Sequence, residues 1–318
     1  MKRRAGWTAA VGIALGLGAG AAAAQEAPQL SESTADHTSF EALNREFASA
    51  PEVTRTCLTC HTEAGHQVRQ SIHWTWDYTH PETGQALGKK RVINSFCVDV
   101  VGNEPLCNSC HTGYGWTDVT SPPPEESGRV DCLVCHDTSG EYTKLMGGAG
   151  YPPMEAGGKT ITGKPADPVN LTEAAKSVGL PDRDNCGQCH FYGGGGDNVK
   201  HGDLSSAMYD PELSVDVHMS PAGEDFACAT CHVSDNHSFA GSRYNVAASY
   251  PEGTRKPGAR RDVATCESCH GTAPHPAGLE GLKLNDHVDT LACQTCHIPE
   301  FGGVSKVVEI LRQRSSSS

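Results

Sequence analysis

This chain is short of large apolar side chains. Of its 318 residues, 37% are hydrophobic and only 6% aromatic, so an interior built from side chains alone would be thin. Cations are also scarce: 25 Lys and Arg stand against 38 Asp and Glu, a net charge of −13, which argues against nucleic acid as a partner. Past the first residues no apolar run approaches the length of a bilayer span, so no stable membrane insertion is expected. No period-two alternation worth assigning to a strand is present either. The leading residues have their own pattern. Lys2, Arg3 and Arg4 precede an apolar stretch at 11–17, and Ala22, Ala23 and Ala24 offer a small-residue cleavage site. The run is too short and too rich in Gly and Ala for an anchor. Residues 1–24 therefore read as a cleaved signal peptide and 25–318 as the exported, periplasmic part; cleavage near Ala24 removes three cations and no acids and takes the charge to −16.

What the chain does have is cysteine, fifteen in all, and fourteen of them recur in one pattern. Cys-x-x-Cys-His occurs seven times: Cys57, Cys60 and His61; Cys107, Cys110 and His111; Cys132, Cys135 and His136; Cys186, Cys189 and His190; Cys228, Cys231 and His232; Cys266, Cys269 and His270; Cys293, Cys296 and His297. One Cys-x-x-Cys could be half a zinc site or a redox disulfide. Seven, with His always next, form the attachment signature of haem c: two thiols reach the vinyl groups on one porphyrin edge and the imidazole comes under the iron. Seven covalent haems supply the apolar bulk that the side chains lack.

The motifs are too irregularly spaced for a stacked repeat. The expected architecture is one mainly α domain with extensive irregular loops, a multihaem cytochrome c fold with a haem-filled core. Thr38 with Glu41 suggests a capping box for a helix that places Phe40, Leu43 and Phe47 on one face. Further helices are expected over 62–74 and 171–178, the latter ended by Gly179 and Pro181. Residues 121–124 and 147–168 are rich in Pro and Gly and read as loops.

A low-spin electron-transfer haem needs two axial ligands, and a catalytic one leaves a position open. Sixteen histidines less the seven in motifs leave nine: His37, His66, His73, His80, His201, His218, His237, His275 and His287. That surplus in an acidic chain points to most of them as distal ligands. His66 and His237 each follow a motif histidine by five residues, badly placed for the same haem, and are expected to serve a neighbour. An acidic surface suits docking to a cationic redox partner, a cytochrome or a quinol-linked donor.

Several long strings carry a resemblance: PEVTRTCLTCH at 51–61, the stretch from IHWTW at 72–76 to NSFC at 94–97, VDCLVCHD at 130–137, and NCGQCHFYGGGGDNVKHGDL at 185–204. Over about residues 37–306 the chain resembles the octahaem tetrathionate reductase family of periplasmic multihaem cytochromes. The resemblance implies an enzyme in which one haem, attached by an ordinary motif, is ligated by lysine. The matching lysine is Lys200, the haem is that of Cys107 and Cys110, and His111 is displaced from its iron. It further implies an active-site surround of Asn94, Cys97 and Asp197, and reduction of tetrathionate, nitrite or hydroxylamine.

The residues themselves point the same way, less sharply. Lys200 follows four glycines, 193–196, a run that permits close backbone approach to a flat cofactor; a solvated lysine on a flexible loop is the alternative. An amine binds iron only when neutral, so this one must be desolvated. Cys97 is the one cysteine outside the motifs, a reactive thiol or an inert buried one. A plain electron carrier with every iron six-coordinate is the competing function. The family's eighth motif and further C-terminal region have no counterpart here, and 307–314 followed by four serines reads as a truncated or frameshifted end, which would leave His237, His275 or His287 without an iron.

Overall fold

The computed structural model describes residues 35–91, 100–192, 204–241, 264–288 and 290–297. Eleven short helices occur among them: α1 (Ala50–Cys57), α2 (Ala64–Gln70), α3 (Ile72–Thr75), α4 (Glu104–Cys107), α5 (Leu133–His136), α6 (Leu171–Lys176), α7 (Arg183–His190), α8 (Cys228–Cys231), α9 (Cys266–His270), α10 (Leu279–His287) and α11 (Gln294–His297). Two antiparallel ladders of two residues a strand complete the regular structure. One pairs β1 (Tyr78–Thr79) with β2 (Ala86–Leu87), the other β3 (Ser234–Asp235) with β4 (Ser238–Phe239). The mainly α, loop-rich architecture is the one expected. Strands this short leave no alternation to read.

Each attachment motif sits in or directly after a helical turn. There is a steric reason: positions i, i+3 and i+4 share one helical face, so a turn points both thiols and the following imidazole the same way.

The N-terminal region differs from expectation. Thr38 caps nothing. Asp36 accepts from the Thr38 N–H at 3.0 Å and opens a 3-10 turn, His37–Ser39, followed by a second, Glu41–Leu43. Leu43 and Phe47 are buried while Phe40 is half exposed. The helix expected over 62–74 is broken at Ser71, whose extended ψ of 158° separates α2 from α3. Asn170 caps α6 through the N–H groups of Thr172 and Glu173, and the helix stops at Lys176.

The apolar interior is small. One cluster gathers Leu43, Phe47, Val53, Tyr114, Leu133, Val134, Tyr142 and Leu171 with a few smaller neighbours, wedged between α1, α5 and α6. A second holds Trp76, Val100, Cys107, Trp116 and Val119. Near the C-terminal end of the described chain, α10 buries only Gly281 while Leu279, Leu282 and Leu284 are exposed.

Candidate haem sites and a histidine turned away

Five histidine pairs face one another across gaps of one size. Ring centroids lie 6.2 Å apart for His37 and His61, 6.2 Å for His73 and His190, 6.3 Å for His136 and His237, 6.0 Å for His218 and His270, and 6.0 Å for His275 and His297. An iron between two imidazoles needs two metal–nitrogen bonds of about 2 Å and two ring radii, about 6 Å in all. Each pair joins one motif histidine to one of the spare ones, so these residues fit a bis-histidine haem. His237 and His275, set aside in the sequence for a missing iron, each stand opposite a motif histidine of this chain.

Hydrogen bonds set the rings. Nδ1–H donates to a carbonyl oxygen from His136 (Gly179, 2.8 Å), His237 (Gln67 side chain, 2.8 Å), His275 (Asn285 side chain, 2.9 Å) and His232 (Ala240, 3.0 Å). That fixes the tautomer with Nε2 bare, the second-shell device of metal-ligating histidines. His237 reaches its place because it and Asn236 occupy the left-handed turn between β3 and β4, at φ of 63° and 49°, the geometry of a primed hairpin turn. Burial pushes His73 down to about 4, and lowers His136, His190 and His237 as well, so these rings are neutral, as metal binding requires.

The remaining spare histidines are used differently. The Nε2 of His66 accepts from the Gln70 amide at 2.6 Å, where both line a surface cavity with Arg69, Trp74 and Glu125. In His80, Nδ1 accepts from the N–H groups of Glu82 and Thr83, which leaves the proton on Nε2. His287 is exposed at the end of α10. His201, Lys200, Cys97, Asn94 and Asp197 lie outside the described residues.

Thiols of different motifs come near one another. Cys57 lies near Cys132, Cys110 near Cys189, Cys186 near Cys228 and Cys266 near Cys293. Cys135 is also in the neighbourhood of Cys186, and Cys269 in that of Cys231. These proximities string the motifs in the order first, third, fourth, fifth, sixth, seventh, with the second branching from the fourth. Haems tethered there would be neighbours in that order, which no spacing in the sequence encodes.

The second motif departs from the rest. His111 is buried, and its Nε2, the atom an iron would take, lies 2.8 Å from the Trp74 carbonyl oxygen. Its ring packs among Trp74 at 4.9 Å, Trp116 at 4.8 Å and Trp76 at 5.4 Å. Trp76 sits in left-handed backbone at φ 50°, a conformation costly for a bulky residue and held by surrounding packing; the Lys89 ammonium lies 4.3 Å over its ring. Burial pushes the His111 imidazole down to about 3.

Gly113 makes the cage possible. A Cβ there would lie 2.3 Å from the Trp74 ring and 2.8 Å from the Arg129 carbonyl oxygen. Gly113→Ala is therefore expected to displace Trp74 and to cost about 1–3 kcal/mol of stability. A thermal melt of the haem-loaded protein measures it, and an unchanged midpoint would show that the cage is loosely packed.

Known proteins bear on these sites. Residues 227–298 match the family described as cytochrome c554 and c-prime. The crystal structure of an octaheme cytochrome c from Shewanella oneidensis superposes with a TM-score of 0.66 at 42% identity, over 84% of this chain and 53% of that one. This chain has a multihaem cytochrome c fold. It spans about half the length of the octaheme protein. An uncharacterized protein of Archaeoglobus fulgidus is 27% identical over 231 residues, 59% of this chain and 75% of its relative. The multihaem fold accounts for the thin core and the paired imidazoles together. Among the described residues no helix is long and apolar enough to cross a membrane.

Proposed function

We propose that the chain is an exported, periplasmic multihaem reductase carrying seven haem c groups, with its active site at the second attachment motif. The observation that carries this reading is the position of His111. With its Nε2 bonded to the Trp74 carbonyl inside the tryptophan cage, the motif does not offer the axial imidazole that the others do. The iron of a haem tethered by Cys107 and Cys110 would then take a different ligand, and Lys200, matched by the resemblance to octahaem tetrathionate reductases, is the one assigned here.

Haem supplies one-electron transfer, and a chain of close haems delivers two electrons in succession. The protein's own residues do the rest. The paired histidines 37 and 61, 73 and 190, 136 and 237, 218 and 270, and 275 and 297 hold their groups at fixed orientation. Lys200 donates a neutral amine, kept unprotonated by desolvation. Asn94 and Asp197 orient a small oxyanion, and the Cys97 thiol engages its sulfur. With tetrathionate, two electrons break the central sulfur–sulfur bond and two thiosulfate ions leave, so charge and atoms balance without a proton. Nitrite and hydroxylamine are alternative substrates of the same pocket. The donor is a cytochrome or quinol-linked protein drawn to the acidic surface.

Viologen-driven reduction of tetrathionate and nitrite tests the assignment. Cys97→Ala and Lys200→Leu are each expected to lower turnover at least tenfold with haem content unchanged. Full turnover of both substrates by both variants removes the site and leaves the electron-carrier reading, in which ferric spectra show every iron as bis-histidine.

A further inference from the structure

Lys144 and Asp131 form an ion pair in the deepest part of the chain, both side chains wholly inaccessible, Nζ to Oδ2 3.0 Å. The other Asp131 oxygen accepts from the Tyr114 hydroxyl at 2.8 Å, the Tyr142 hydroxyl at 2.9 Å and the Val134 N–H at 3.1 Å. The Lys144 ammonium makes a second bond, to the carbonyl oxygen of His111. Burying a charged pair is costly, and an apolar pair of similar size commonly serves stability as well or better. The feature that an apolar pair could not supply is the donor to His111.

That carbonyl is where Lys144 holds the His111 main chain. Four other motif histidines, His136, His190, His270 and His297, end their helices in helical backbone. His111, like His61 and His232, lies past its turn: the 3-10 turn Asn108–Cys110 stops before it, and its ψ is 140°, extended. An extended ψ swings the carbonyl out to the side, where Lys144 meets it. The next residues are pinned in the same sense, with the Asp131 N–H on the Thr112 carbonyl at 2.9 Å and the Thr112 hydroxyl on the His73 carbonyl at 3.0 Å.

We infer that the buried Lys144–Asp131 pair is a clamp that holds the His111 carbonyl, and through it keeps the His111 imidazole in the Trp74, Trp76 and Trp116 cage and away from the iron of the haem that Cys107 and Cys110 would tether. Lys144 is thus a positioning residue. It deepens the reading above and rests on it, because it supposes an iron whose motif histidine has been withdrawn. Releasing the carbonyl frees the His111 main chain to shift, and with it the Cα about which the ring turns back toward the two cysteines.

The test is made on the haem-loaded protein with 15N-labelled histidine, by pulsed electron paramagnetic resonance on the one ferric haem whose signal responds to added nitrite. In the unmodified protein that haem shows no imidazole nitrogen coupling. Lys144→Met is expected to introduce it, at the level of one haem per chain. Lys144→Gln, which keeps a donor for the carbonyl, retains the original spectrum, and adding His111→Leu to Lys144→Met abolishes the new coupling, a reversal that general loosening would not produce. Where Lys144→Met fails to accumulate, Asp131→Asn with Lys144→Met leaves no lone buried charge and carries the same expectation. A folded Met variant without the coupling overturns the clamp and leaves the Lys200 assignment intact. Imidazole coupling already present in the unmodified protein overturns that assignment as well.

Discussion

Expressed with an export signal in a host that cannot attach haem, the chain is expected to accumulate without cooperative tertiary structure. Native domains are stable by only about 5–15 kcal/mol, the small remainder after conformational entropy is offset by buried apolar area. Here that area is split between a cluster around α1, α5 and α6 and a smaller one of five residues at Trp76 and Trp116. The described C-terminal segment has almost nothing: Leu279 is 88% exposed and Leu282 66%, and only Gly281 and Val288 are buried. Faces of that kind become interior only when a large flat apolar group covers them. Near-ultraviolet circular dichroism and limited proteolysis of the colourless chain, against protein carrying seven haems by pyridine haemochrome, measure the difference. A colourless chain that melts cooperatively and resists protease would mean that side chains alone build the fold, and would remove the reason for its sparse core.

The second large effect concerns the paired imidazoles. Axial ring planes near parallel split the iron d orbitals and give an ordinary rhombic low-spin signal; planes near perpendicular leave two of them almost degenerate and give a strongly anisotropic one. The angles here fall into two sets: 18° and 24° for His37 with His61 and His275 with His297, against 84°, 74° and 63° for His73 with His190, His136 with His237 and His218 with His270. The ferric protein is expected to show both classes. His73→Ala should convert one haem of the anisotropic class to a high-spin form, and His37→Ala one of the rhombic class. Each change removes a single pair because the rings hold no other iron. Loss from the wrong class in either variant would show that the pairs are not the ligand sets.

Much of this was legible in the sequence because the chemistry is local. Two thiols and an imidazole within five residues need only one helical turn to become an attachment site, and α5, α7, α9 and α11 each supply it. The helix at 171 was foreseeable for the same reason: Asn170 caps it from the adjacent residue. The 62–74 segment was misread as one helix because nothing in its composition marks Ser71 as the break; that residue turns extended where Trp74 and Trp76 go down into the His111 cage. The capping box at Thr38 failed for a like reason, since Asp36 lies nearer to the turn that forms.

The amino-acid order alone determined the count of Cys-x-x-Cys-His motifs, the scarcity of apolar side chains and the excess of acidic ones, because each is fixed by residues in covalent succession or by a simple count. Only the folded chain decided which histidines meet, since His73 finds His190 and His136 finds His237 across more than a hundred residues of chain, and no spacing rule carries that far. It also decided that one of seven Cys-x-x-Cys-His motifs turns its imidazole away. His111 is chemically the same as the other motif histidines, and it is three tryptophans around its ring and the Trp74 carbonyl at its Nε2 that set it apart.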